Sequence, residues 1–246
     1  MIKYIVILTK IIIITMIILL FSSCKYDVDW GDGIDGTGNV TVEKREVNDV
    51  FTKVKVERGL EVVISQSELK KIEVEADQNL LEHISTKVEN GVLIITSDES
   101  IDSSESLIVR VQMPVIEGLT STSGSKITVG TTLKGTSIRL DSSSGSEIEA
   151  ILEYDEVRST SSSGSSITLS GIALKLFTDA SSGSDITAKS LEANTVKSEA
   201  SSGSTSTVNA LQELTVSASS GASIKSVSKP EIINKDESSG GSVSIQ

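Results

Sequence analysis

The sequence predicts an all-β fold, a single-stranded parallel β-helix, or solenoid, with coils of about 19 residues. Three observations predict it. The string SSGS or a close variant recurs with its glycine at Gly124, Gly145, Gly164, Gly183, Gly203, Gly221 and Gly240, at spacings of 21, 19, 19, 20, 18 and 19 residues. Self-similarity at a near-constant period marks a repeat architecture. Apolar residues hold a fixed phase to that glycine: three positions after it stand Ile127, Ile148, Ile167, Ile186, Ser206, Ile224 and Val243. Finally, aromatic residues make up only 3% of the 246, so the interior must be filled by small and β-branched side chains, which suit stacked strands.

The first 23 residues read as an export signal. Lys3 and Lys10 are basic, Ile11 to Phe21 is an apolar run broken only by Thr15, and the small Ser22 and Ser23 precede Cys24. A membrane-spanning helix needs about 20 apolar residues, and even Ile5 to Phe21 contains Lys10. LFSSC (20–24) resembles the lipobox of bacterial lipoproteins, with Phe21 where leucine is usual. It implies that Cys24 is lipidated and ties the chain to a membrane, since several acyl chains make a stable anchor. Residues 24–38, rich in Asp and Gly, predict a flexible tether. Lys25 with Asp27 and Asp29 is similar to the export signal of surface lipoproteins of Bacteroidota, so an outer-membrane lipoprotein exposed at the surface is expected. Counted from Asp27, an EF-hand would need Gly at 32 and Glu at 38, where Asp32 and Gly38 stand, so the aspartates read as linker.

Residues 39–115 lack the serine corner but alternate as strands do, in Val54 and Val56, Val62 and Ile64, Ile72 and Val74, Leu93 and Ile95, and Leu107 to Met113. Turn residues cluster at Asn48-Asp49, Glu57 to Gly59, Asp77 to Asn79 and Asn90-Gly91. This stretch is expected to be the irregular opening of one β-helix domain spanning 39–246.

From 116 to 246, seven coils follow. Serine fills 34 of the 126 positions after 120, a fraction that would suggest disorder if it were unphased. It is phased. Seven residues before the glycine come Glu117, Ile138, Val157, Leu176, Val196, Leu214 and Ile233, and five after it Val129, Ala150, Leu169, Ala188, Val208, Ser226 and Ile245. A third apolar position falls at Leu133, Leu152, Ile172, Leu191, Leu211 and Val227. Directly before the glycine the residue is always serine: Ser123, Ser144, Ser163, Ser182, Ser202, Ser220 and Ser239. Three before it, six of seven residues are Ser or Ala. Alternation places both positions inside a tight corner, where stacked hydroxyls satisfy one another from coil to coil. The glycine supplies a positive φ.

Composition narrows function. A net charge of −12 argues against nucleic-acid binding, which needs clustered Lys and Arg. One Cys and one His leave no disulfide and almost no material for a metal or cofactor site. In the outward rows two and four residues after the glycine, Glu147 and Glu149 are the only carboxylate pair, and they read as a solvated face. No catalytic residue and no metal ligand is expected. Trp30, Phe51 and Phe177 are too few to build an aromatic sugar platform.

The succession VEKREVNDVFTKVKVERGLEVVISQ (42–66), IEVEADQNLLEHISTKVENGVLIIT (72–96) and then the SSGS coils resembles the head GIN domain family of putative autotransporter adhesins, exported proteins and lipoproteins of Bacteroidota. The matching positions include Arg45, Val47, Phe51, Gly59, Asp77, Asn79 and Gly91 as well as the seven corner glycines. The resemblance implies a right-handed parallel β-helix and carries no catalytic residues. The expectation is a non-enzymatic, lipid-anchored cell-envelope protein, either an adhesin with a glycan, matrix or envelope-protein ligand or a purely structural β-helix; the alternative is a polysaccharide-degrading β-helix enzyme. The chain stops at Val243 to Gln246 without a capping helix, so this last coil is expected to be covered by a partner or a second copy.

Overall fold

A computed structural model of the chain describes Lys10 and residues 33–246; Cys24, the signal segment and most of the tether lie outside the described residues. Nineteen strands run through 33–246. The first nine are β1 (Ile34–Asp35), β2 (Val40–Arg45), β3 (Lys53–Val56), β4 (Glu61–Gln66), β5 (Lys71–Asp77), β6 (Ile84–Glu89), β7 (Val92–Ser97), β8 (Ile101–Ser103) and β9 (Leu107–Met113). The rest are β10 (Gly118–Ser121), β11 (Lys126–Val129), β12 (Leu133–Ser142), β13 (Glu147–Ser161), β14 (Ser166–Ala180), β15 (Asp185–Ala200), β16 (Thr205–Ala218), β17 (Ser223–Ser226), β18 (Ile232–Glu237) and β19 (Ser242–Ile245). From β10 onward each coil pairs in parallel with the one before it, which makes a β-solenoid.

The corner is a two-residue turn with positive φ at both residues. Ser123 has φ 56° and Gly124 73°, and the other six Ser-Gly pairs repeat these signs. This is the type I′ geometry, which only residues tolerant of the left-handed region adopt. Arg58 (φ 60°) and Gly59 (φ 73°) form an eighth corner of the same kind. Two successive left-handed residues break the alternation of the strand, so one sequence expectation is corrected. Ser123, Ser144, Ser163, Ser182, Ser202, Ser220 and Ser239 point into solvent. The residue after the glycine is the one that turns inward: Ser125, Ser146, Ser165, Ser184 and Ser204 are each at most 2% exposed. The small residues three before the glycine, from Ser121 to Ala218, are buried as expected.

Those inner serines form the hydroxyl ladder. Ser146, Ser165, Ser184 and Ser204 donate through Oγ to the carbonyls of Ser121, Ser142, Ser161 and Ala180 in the preceding coil, at 2.6, 2.8, 2.7 and 2.8 Å. Each accepts from the backbone N–H two residues before its own glycine, at 3.0 to 3.2 Å. A second ladder runs along the outside, where each corner glycine N–H from Gly59 to Gly221 donates to the carbonyl of the left-handed serine in the following coil, as Gly183 does to Ser202 at 3.1 Å. Both donors and acceptors of the turn are thereby satisfied, which a tight buried corner requires.

Between corners the aliphatics stack in register. Ile138, Val157, Leu176, Val196 and Leu214 form one column, and Ile127, Ile148, Ile167, Ile186, Ser206, Ile224 and Val243 another. Each fully buried Ile or Leu contributes roughly 1.5–3 kcal/mol. The third column runs Leu133, Leu152, Gly171, Leu191, so Ile172 and Leu211, expected inside, point outward and are about half exposed. Coil length varies just there, and counting from the corner loses the register. At Gly171 (φ 112°) a Cβ would lie 2.0 Å from the Leu152 carbonyl oxygen, so no other residue fits. Tyr154 replaces an aliphatic in this layer, passes beside Gly135 and donates its hydroxyl to Ile116 O at 2.8 Å.

Residues 39–115, expected as irregular coils, are coil only in part. β3, the Arg58-Gly59 corner and β4 make the first coil, with β7 and β10 flanking β3 and β9 and β11 flanking β4. Between its two halves of pairing the chain adds antiparallel structure, β2 on β5, β5 on β9 and β6 on β7. Asn90 (φ 50°) and Gly91 close the last of these hairpins as their sequence predicts. The expected tether also shortens. Gly33 to Gly38 is docked on this head: β1 pairs with β8, Asn79 Oδ1 accepts from the Thr37 N–H at 3.1 Å, and the buried Asp77 accepts from the N–H groups of Gly38 and Glu105.

On the last coil, two charged side chains meet the backbone of Val243. The N–H groups of Ser242 and Gln246 donate back to Ala222 and Ser226, so by alternation the N–H and C=O of Val243 face where a further coil would lie. Lys235 donates to Val243 O at 3.0 Å and Glu237 accepts from Val243 N–H, while the two side chains pair at 3.0 Å.

Candidate functional site

Each coil shows solvent two outward strips around its corner. On the strip after the corner, Glu147 and Glu149 project from β13, and Lys126, one coil away, lies 3.1 and 3.3 Å from their carboxylates. The hydrogen bond to Glu147 holds the Lys126 ammonium above its usual pKa. Both acids are thus occupied by one cation. A carboxylate pair for acid–base chemistry needs one member free to carry a proton, and this pair is arranged otherwise. Apart from Asp185 and Lys225, the remaining positions of the strip are hydroxyls, Thr168, Thr187 and Thr207 among them, and Thr187 donates to Asp185 at 2.8 Å. His83, the one histidine, meets the exposed Asp98 at 3.0 Å on the head.

The strip before the corner is different. Six residues ahead of each corner glycine the outward column reads Lys53, Gly118, Arg139, Arg158, Phe177, Lys197, Thr215 and Asn234, one residue per coil in unbroken register. Four of these eight are cations and none is an acid, on a chain of net charge −12. Arg158 stacks on Phe177 with its guanidinium carbon 4.1 Å from the ring centre, a cation–π contact. Arg139, Arg158 and Lys197 each meet an acid on their own strand, Asp141 at 2.8 Å, Glu156 at 2.8 Å and Glu199 at 2.7 Å. Asp141 raises the Arg139 pKa further through its hydrogen bond. Among the described residues Lys53 has no such partner.

At its head end the column opens into a cleft of about 820 Å³. Gly118, Gly135 and Val115 line it together with the cations Lys53, Lys55, Lys134 and Arg139 and the acids Glu117 and Asp141; Lys134 also pairs with Glu153 at 2.6 Å. Gly118 leaves room for the Lys53 side chain, since a Cβ there would lie 3.1 Å from Lys53 Cγ. Gln66 ties the rim together, accepting from Lys134 N–H at 2.7 Å and donating to the carbonyls of Pro114 and Lys134 at 2.9 Å each.

The corner residues singled out from sequence are thus brought together as structure: seven glycines and seven exposed serines in two parallel lines. Cys24 lies outside the described residues. The cationic column was missed because attention fell on the residues after the glycine; the same alignment read six residues before it would have displayed the run Gly118, Arg139, Arg158, Phe177, Lys197. Lys53 could not be added that way, since its corner is Arg58-Gly59 and lacks the serine.

The family model described as "Putative auto-transporter adhesin, head GIN domain" matches residues 50–230. Among solved structures, the fold is similar to that of a putative adhesin from Bacteroides fragilis NCTC 9343, with a TM-score of 0.81 and 16% identity over 87% of this chain and 100% of that one. A putative adhesin from Parabacteroides distasonis ATCC 8503 gives 0.72 and 19% over 87% and 100%. A putative lipid binding protein from the same organism gives 0.69 and 17% over 87% and 99%. At such identities the likeness concerns the fold. No curated protein matches the chain.

Proposed function

The chain belongs to the head GIN domain family of auto-transporter adhesins, and from that premise we propose that it is a non-enzymatic, lipid-anchored protein of the outer membrane whose solenoid attaches to a ligand through its outer face. The observation that carries this reading is the in-register column from Lys53 to Lys197. A solenoid repeats its surface at a fixed interval, and a repeated surface suits an extended ligand. The Lys126 bridge between Glu147 and Glu149 supports attachment over catalysis. The lipobox-like LFSSC supports anchorage at Cys24, and the docked Gly33 to Gly38 leaves a short link, 25–32, between anchor and body. The test has two parts. Cys24→Ala should move the protein from the membrane fraction to the soluble fraction, and deletion of the whole chain should reduce adhesion of cells to glycan-coated or matrix-coated surfaces. Unchanged fractionation and adhesion would overturn the reading.

A second reading has its own observation. Ile172, Leu174 and Leu211, each about half exposed, line a hollow of about 540 Å³ beside Tyr154. Two outward aliphatics on β14 and one on β16, two coils further on, suit an acyl chain, and one structural relative is named a lipid binding protein. Native mass spectrometry of the Cys24→Ala protein tests it. A co-purifying lipid lost in Ile172→Asn/Leu174→Asn supports it, and a ligand-free mass counts against it.

A further inference from the structure

We propose that the ligand of the cationic column is an anionic polysaccharide, lying along the solenoid axis from the Gly118–Gly135 cleft to Lys197 and carrying carboxylate or sulfate groups on successive sugars. The inference rests on the attachment reading above and deepens it by naming the ligand class. Charge is the first argument. The body as a whole repels polyanions, yet four of its cations share one column with no acid in it, and among the described residues Lys53 stands there without an acidic partner. Of the acids beside the column, Asp141, Glu156 and Glu199 form exposed pairs worth roughly 0–1 kcal/mol each, weak enough for a ligand anion to compete with them; Asp179, next to Phe177 on β14, makes no ion pair among the described residues.

Spacing is the second argument. Coils stack about 4.8 Å apart, close to the length of one pyranose unit, so a linear glycan parallel to the axis advances one sugar per coil. Lys53, Arg139, Arg158 and Lys197 then fall at coils one, three, four and six, about 24 Å end to end. A polymer charged on every sugar meets all four. The surroundings suit sugar as well. Backbone glycines line the cleft, and Thr136 and Ser137 offer hydroxyls. A volume of about 820 Å³ lies within the range of small-ligand sites and seats a few sugars at the head end.

The test is isothermal titration calorimetry with the full chain purified in detergent, against polygalacturonate, heparin and neutral dextran. Binding to one or both polyanions, weakened about tenfold by Arg139→Glu/Arg158→Glu and unaltered by Lys225→Glu on the other strip, is the expected result. Polygalacturonate alone would assign carboxylate as the recognised group, heparin alone sulfate. Lys53→Met, an outward change that leaves every coil intact, should weaken binding in the same direction. Equal affinity for dextran, or equal loss in Lys225→Glu, would overturn the polyanion class while leaving attachment standing. No binding to any of the three by a chain that still supports cell adhesion would overturn it too.

Discussion

Ser182 and Ser184 flank one glycine and do opposite work. Ser182 sits on the outside at φ 53° with no side-chain hydrogen bond, whereas Ser184 is buried, donates to Ser161 O and accepts from Ser181 N–H. Ser184→Ala removes two buried hydrogen bonds, while Ser181 N–H keeps its bond to Ser161 O at 3.0 Å, and should cost about 1–2 kcal/mol. Ser182→Gly keeps a left-handed conformation that glycine adopts freely and should change stability by only a few tenths. Urea denaturation of both variants decides, and a larger loss for Ser182→Gly would contradict the assignment. Tyr154 offers a pH test at the same scale. Burial, and then the charge of Glu117, push its hydroxyl up to about 12, while the unfolded phenol ionises near 10. The neutral form is favoured in the folded state, so this stability is complete below pH 10 and declines as pH rises toward 12, by on the order of 2 kcal/mol. Between pH 9 and pH 11.5 the urea midpoint of the wild type should therefore fall further than that of Tyr154→Phe.

At the level of elements, the coils were legible because the corner imposes identity. A left-handed pair selects glycine, and a buried ladder selects serine or alanine, so seven corners announce themselves. What the corner does to side-chain direction was not legible, since alternation fails across two left-handed residues. The head was read only in outline. Its antiparallel β2, β5 and β6 share the two-residue period of coil strands, and pairing direction leaves no mark on that period. Ile172 and Leu211 were misplaced where loops change coil length. The C-terminal edge gives this scale its prediction. Lys235 and Glu237 occupy the inward phase where earlier coils carry Val216 and Ala218, and they cover the free edge at Val243, a known way of blunting strand addition. Lys235→Val/Glu237→Ala restores the inner pattern and uncovers that edge. Analytical ultracentrifugation should then show larger species than the parent forms at equal concentration; an unchanged distribution would mean that the pair is dispensable.

For the molecule as a whole, the shortage of aromatics and the surplus of serine have one cause. Eight stacked corners about 4.8 Å apart need small residues inside, and they give a narrow acidic rod of about 34 Å between the first corner and the last. The column is invisible in the net charge and becomes visible only when the chain is wound. The most direct test of the account is adhesion of whole cells to a polygalacturonate-coated surface, comparing cells that carry the native chain with cells that carry Arg139→Glu/Arg158→Glu at equal surface abundance. The account predicts that the variant loses most of the adhesion that deletion removes. Adhesion equal to that of the native chain would contradict it.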